Sequence, residues 1–236
     1  YKMKKLLVGV LFFVLIHQTL IGQDVRGQRV FSGELKNIRF LNYPEATIIK
    51  ADLKSELEAK CLSPEDLVKS ILSCTSVDWE IYHTLGGKDN ASIKSKEHYN
   101  KVALMNKDKN SFVLQNKFEF DLEGLSMAII KFYFVTEGVE NPQAGVTVMQ
   151  YDEGRWKKAN MKPVSNLAML SLRLKPEILA KIIALDESDN YLKEIKSRVV
   201  KNGAVDFDIL GHELNTWYEN DDEKKLNYFK DPNSIL

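Results

Sequence analysis

The sequence predicts an α+β fold: a four-stranded antiparallel meander packed by N-terminal helices, followed by a helical C-terminal region. Three observations predict it. Residues 112–121 alternate apolar and polar side chains, the mark of a half-buried strand. Two acidic-glycine pairs, Glu123-Gly124 and Glu153-Gly154, sit where tight hairpin turns would join such strands. From Ser165 onward the apolar residues return to helical spacing.

The chain opens with a segment read as a secretory leader. Lys4 and Lys5 follow Met3, the expected start, and an apolar run of eleven residues extends from Leu6 to Ile16. A membrane-spanning helix needs about 20, so a cleaved signal peptide over 1–22 is the better match to a basic start, a short apolar centre and a small residue at Gly22. No cysteine lies near that cut to carry a lipid anchor. The expected location is outside the cytoplasm, periplasmic or secreted, in a Gram-negative host, with no stable membrane anchor after cleavage.

Charge and composition narrow the function. The chain has 33 basic and 33 acidic side chains. Losing Lys2, Lys4 and Lys5 with the leader leaves about three net negative charges, which argues against nucleic acid and anionic lipid as partners. An apolar fraction of 44% is enough to build a core. No linker divides residues 23–236, so one compact unit is expected: an N-terminal segment at 23–62, an α+β core at 63–161, and a C-terminal region at 162–236 packed on that core.

The elements follow in order. Arg29 to Tyr43 can hold one edge strand, closed by Tyr43-Pro44, and Asp52 to Ala59 a short helix. Ser63-Pro64-Glu65-Asp66 is a helix start, with Ser63 as cap and Pro64 at the first helical position. Leu62 is placed to staple onto Leu67. Leu67, Val68, Ile71 and Leu72 share one face of a helix over 64–74. Cys61 and Cys74 then fall at opposite ends of it, about 15 Å apart at helical rise. A disulfide needs about 7 Å or less between α-carbons, so two free buried thiols are expected.

A second short helix over 78–85 carries Trp79, Tyr82 and His83. Residues 91–111 are polar and lysine-rich and fit either a helix or a loop. In the first strand Phe112, Leu114, Phe118 and Phe120 are expected on one face. Ser126 to Thr136 is apolar on both faces and reads as the central strand. Val146 to Tyr151 and Arg155 to Met161 complete the meander. Helices are expected over 165–174, 176–185 and 188–201, then another through Phe207, Leu210, Leu214, Trp217 and Tyr218, before a loosely held tail from Asn220.

The capped helix Ser63-Pro64-Glu65-Asp66-Leu67-Val68-Lys69 and the hairpin Asp152-Glu153-Gly154-Arg155-Trp156-Lys157 give residues 63–161 a texture that resembles small exported bacterial proteins of the nuclear-transport-factor-like superfamily. The resemblance implies a cone-shaped α+β core with a pocket between sheet and helices. It carries no catalytic residues across, because that superfamily hosts enzymes and pure binding modules alike.

No motif for chemistry is complete. His212-Glu213-Leu214-Asn215-Thr216 lacks the second histidine of a zinc-protease helix. Asp186, Ser188 and Asn190 lack the glycine and glutamate of a calcium loop. Cys74 and His83 could pair as nucleophile and base, against the commoner reading of a buried structural thiol. No metal, cofactor or catalytic residue is therefore assigned. The candidate ligand-binding residues are Trp79, Tyr82, His83, Tyr133 and Trp156, amphipathic aromatics and one imidazole suited to a small apolar ligand. Ordinary core packing is the competing reading. The expected role is a non-enzymatic binding or interaction module with a small apolar ligand or a protein partner; the alternative is a carrier or enzyme using the same pocket.

Overall fold

The computed structural model describes residues 28–30, 33–43, 47–105, 108–138, 140, 142–159, 162–175, 177–179, 181, 188, 190–201, 204–205, 207–221, 223 and 227–229. The expected leader at 1–22 and the tail's last residues lie outside these. The fold is α+β. Nine strands, β1 (Gln28–Val30), β2 (Gly33–Asn42), β3 (Ile48–Ile49), β4 (Asn110–Leu122), β5 (Leu125–Thr136), β6 (Gln143–Asp152), β7 (Arg155–Lys158), β8 (Val200–Lys201) and β9 (Ala204–Val205), form one sheet. Its order is β7-β6-β5-β4-β2-β1-β9-β8, with the two-residue β3 also on β4. All pairings are antiparallel except β1 with β9. Six helices are described: α1 (Pro64–Ser73), α2 (Val77–Tyr82), α3 (Lys96–Leu104), α4 (Lys162–Arg173), α5 (Asn190–Val199) and α6 (Phe207–Asn220). Among the described residues no helix is long and apolar enough to cross a membrane.

The two hairpin turns follow from local chemistry. Glu123 and Gly124, and Glu153 and Gly154, all have positive φ, the backbone that a two-residue turn needs to match strand twist. Leu122 pairs with Leu125, and Asp152 with Arg155. Ser63 caps α1 as its sequence requires: its hydroxyl accepts from the Asp66 N–H, and the Asp66 carboxylate accepts from the Ser63 N–H.

The sheet is wider than the meander alone. β2 is an inner strand between β4 and β1, not an edge strand. The edge beyond β1 is supplied by the β8–β9 hairpin, and the helix expected over 188–201 is present as α5 and gives way to β8 after Val199. The short helix expected at 52–59 is one 3-10 turn at Glu56–Glu58, and the polar stretch 91–111 contains α3. Leu62 is largely exposed, so the expected staple onto Leu67 does not form; the capping box alone organises that helix start. The described part of the tail is anchored: Phe229 is buried against the Tyr218 ring, and the Lys175 N–H donates to the Tyr228 carbonyl. A buried aromatic outweighs the charges around it.

Burial in β4 alternates strictly from Asn110 to Leu122, yet the buried residues do not share one face. Leu114 pairs with Phe132 but Asn116 with Lys131. The extra residue at Gln115 is a β-bulge, which shifts register by one and reverses the face of every later side chain. Leu114 therefore packs in front of the sheet with Ala128, Ile130 and Met149, beneath α1 and α2. Phe118 and Phe120 pack behind it with Met127, Ile129, α4 and α6. The expected single face of Phe112, Leu114, Phe118 and Phe120 is split for this reason. A second bulge in β2, between Lys36 and Arg39, leaves Asn37 with positive φ.

Candidate functional site

The edge of the meander is where the front helices attach. The Trp156 N–H donates to the Cys61 carbonyl at 2.8 Å, the Lys158 N–H to the His83 carbonyl at 2.7 Å, and the Leu85 N–H to the Lys158 carbonyl at 2.9 Å. These bonds use the free side of β7, which blunts an otherwise open strand edge and clamps α1 and α2 against it. Cys74 caps the C-terminal end of α1 and Ser76 caps the N-terminal end of α2, so the two helices are joined by one short turn.

That turn encloses a buried polar network. The Trp79 indole N–H donates to Ser70 Oγ at 2.9 Å, and Ser70 Oγ lies 3.4 Å from His83 Nδ1. His83 Nε2 lies 3.2 Å from Glu80 Oε2, and Lys158 Nζ donates to the other carboxylate oxygen. Cys74 Sγ is 3.9 Å from Glu80 Oε2. Ser70, Glu80 and His83 are all buried. An indole can only donate, so Ser70 accepts from Trp79 and turns its own proton to His83 Nδ1. A neutral His83 then donates from Nε2 to Glu80. Burial pushes the Glu80 carboxyl up, but the donors on His83 and Lys158 outweigh it and hold the group at about 2. Burial lowers the His83 pKa, more than the adjacent carboxylate raises it. Burial pushes the Cys74 thiol up to about 11, with the Glu80 charge adding to it. Cys61 and Cys74 are both free and buried.

Farther along the same front face the helices end and the sheet lies open. A cleft of about 600 Å³ runs across it from β2 to β7. At one end Tyr151 and Trp156, a cross-strand pair, stand edge to face with ring centroids 5.6 Å apart. At the other, Asp121 accepts from the Asn37 amide at 2.6 Å and from the Ser126 hydroxyl at 3.1 Å. Arg39 and Glu119 pair at 3.1 Å beside them. Lys117 bridges Glu119 at 2.9 Å and Glu65 of α1 at 2.8 Å, and the Tyr43 hydroxyl donates to Glu65 at 2.5 Å. Burial pushes the Glu65 carboxyl up, but these two hydrogen bonds prevail and hold it below its ordinary value. This ladder ties the start of α1 to the sheet.

The five residues singled out from sequence divide among four places. Trp79 and His83 are both members of the buried network. Tyr82 is half-buried, its hydroxyl donating to the Ala59 carbonyl at 3.0 Å and its ring lying 4.2 Å from the Arg155 guanidinium. Trp156 lines the open cleft. Tyr133 is buried behind the sheet: it follows Met127, Ile129 and Lys131 by strand parity, whereas Phe132 faces the front helices. The five therefore do not line one shared pocket. Sequence reasoning missed Glu80, Ser70 and Lys158. Glu80 had a usable signal, three residues before His83 on the same helix. Lys158 had none, being 78 residues away from its partner. The incomplete motif at His212 remains an exposed helical histidine whose carbonyl accepts from Thr216.

Comparison with protein families, with curated proteins and with solved structures finds no match to this chain.

Proposed function

We propose that the protein is an exported binding module and that the open cleft on the front of the sheet holds its ligand. The observation that carries this reading is the pairing of an aromatic wall, Tyr151 and Trp156, with a polar wall, Asp121, Asn37, Ser126 and Arg39, across one cleft. Such a lining suits a small molecule with one flat apolar face and several hydroxyls, the chemistry of a sugar ring. Asp121 and Glu119 accept hydrogen bonds while Asn37 and Arg39 donate them, so hydroxyls of either orientation are served. Export is supported by the basic-apolar start of the chain, and a cone-like plan for 63–161 by the order of α1 and α2 followed by the β4–β7 meander.

An enzymatic reading would start from the row Ser70, His83, Glu80, which has the residue types of a hydrolase relay. Ser70 is fully buried and its oxygen already accepts from Trp79, so a substrate carbonyl has no approach to it. Binding is the better reading for that reason.

The test is native mass spectrometry on the protein purified after export, followed by titration with a panel of mono- and oligosaccharides. A retained mass that leaves on denaturation, or saturable sugar binding lost in Trp156→Ala, supports the reading. A bare mass with no sugar bound at millimolar concentration overturns it. Sequencing the N-terminus of the exported protein tests the leader: a start at or within a few residues of Gln23 is expected, and a retained residue 3–22 segment would refute cleavage.

A further inference from the structure

We propose that Cys74, Glu80 and His83 form a buried transition-metal site of zinc type. Three ligand atoms, a thiol sulfur, a carboxylate oxygen and an imidazole nitrogen, lie within 4.8 Å of one another and all three residues are buried. These are the ligand types that zinc takes, and three such ligands with a fourth position left over is a recurrent arrangement. Their frame is rigid: Cys74 ends α1, Glu80 and His83 lie on and just after α2, and the His83 backbone is bound to the β7 edge. Ser70 sits against His83 Nδ1, the partner that a metal-bound imidazole needs on its second nitrogen.

Without metal, the Lys158 ammonium neutralises Glu80. Its side chain keeps about a quarter of its surface exposed, 25%, against 7% for Glu80, so it has a path out to solvent. Charge balances on exchange. A divalent cation enters, the Cys74 thiol loses one proton to solvent and forms the metal–sulfur bond, and the Lys158 ammonium swings out. The site holds Glu80 and Lys158 charges before, and a dication with two anions after, neutral in both states. His83 moves its proton from Nε2 to Nδ1, freeing Nε2 to ligate. Ser70 then accepts from both Trp79 and His83, within the two lone pairs of a hydroxyl.

The protein purified after export would be stripped with a chelator, then titrated with zinc and, separately, with cobalt(II). The expected result is one metal per chain, about one proton released per metal at neutral pH, and a thiolate-to-cobalt charge-transfer band. The chain has two cysteines, so Cys61→Ser leaves Cys74 as its sole thiol. Retention of the band in that variant assigns it to Cys74, whether or not Cys74→Ser folds. Lys158→Gln removes the competing cation and is expected to tighten zinc binding about 10-fold, the scale of a change beside a metal ligand. Substoichiometric metal, no charge-transfer band, or a band that disappears in Cys61→Ser would each overturn the site. Unchanged affinity in Lys158→Gln would overturn the exchange.

Discussion

Behind the sheet, α4 and α6 bury Val164, Leu167, Ala168, Leu170, Leu210 and Leu214 against Phe118, Phe120, Met127 and Ile129. In front, α1 and α2 bury Leu67, Val68 and Trp79 against Leu114, Ala128 and Ile130, but also Ser70, Glu80, His83 and Thr84. Each side also holds a lysine chain, buried on the back and half-buried on the front. Lys131, on the back, donates to the Leu172 carbonyl in the last turn of α4 at 2.8 Å, where a cation meets the negative end of a helix. Lys158, on the front, meets a carboxylate. The back is held mainly by area removed from water, which tolerates many side chains of similar volume. The front is held by a chain of donors and acceptors in which each member fixes the next. The difference teaches where specificity is invested: the side with the buried network and the open cleft is the one suited to recognition.

Breaking the front network is expected to have the largest effect. Glu80→Ala leaves the Lys158 ammonium and the His83 ring without their partner, and a broken buried pair costs about 3–5 kcal/mol, read as a fall in denaturant midpoint. Leu167→Ala removes a fully buried side chain behind the sheet and is expected to cost about 3 kcal/mol. If it cost more than Glu80→Ala, the contrast between the faces would fail.

The faces also differ in pH response. Glu80 is held below its ordinary value of 4.5, at about 2, so its contribution is complete above about 4.5 and is lost as pH falls toward 2. The His83 pKa is lowered from 6.5. The unfolded chain takes up that proton first, so stability declines as pH falls below about 6.5. Together these predict an acid loss of a few kcal/mol, on the order of 3 from Glu80 alone. Thermal melts across pH 2 to 8 would read it. In His83→Gln the portion between pH 6.5 and 4.5 should flatten, while Leu167→Ala should leave the pH profile unchanged in shape.

Smaller effects sharpen the picture. A β-carbon added at Gly145 would come within 2.6 Å of the Phe132 ring, so Gly145→Ala is expected to cost about 1–2 kcal/mol through overpacking on the front face. Tyr151→Ala at the cleft should change stability by under about 0.5 kcal/mol and abolish ligand binding. A stability loss of several kcal/mol there would make Tyr151 a packing residue and remove it from the cleft's chemistry.

Local chemistry was legible from residues alone. Ser63-Pro64-Glu65-Asp66 states a capped helix, and two acidic-glycine pairs state two tight hairpins, because caps and turns are decided within four residues. Alternation over 112–121 correctly marks which β4 residues are buried. It does not mark which face they reach, since a bulge at Gln115 leaves the alternation intact and reverses its direction. The same limit hides the site. Trp79 and His83 stand out as amphipathic side chains on a short helix, but their partners Ser70 and Lys158 come from another helix and from a strand far along the chain. Tyr133 and Phe132, adjacent in sequence, end on opposite sides of the sheet. Sequence by itself determined the α+β class, the turns and the caps, where the deciding interactions are short-range. Only the tertiary structure decided the width of the sheet, the face of each strand residue and the meeting of Cys74, Glu80, His83 and Lys158, because register and docking are set by contacts between segments that no local pattern records.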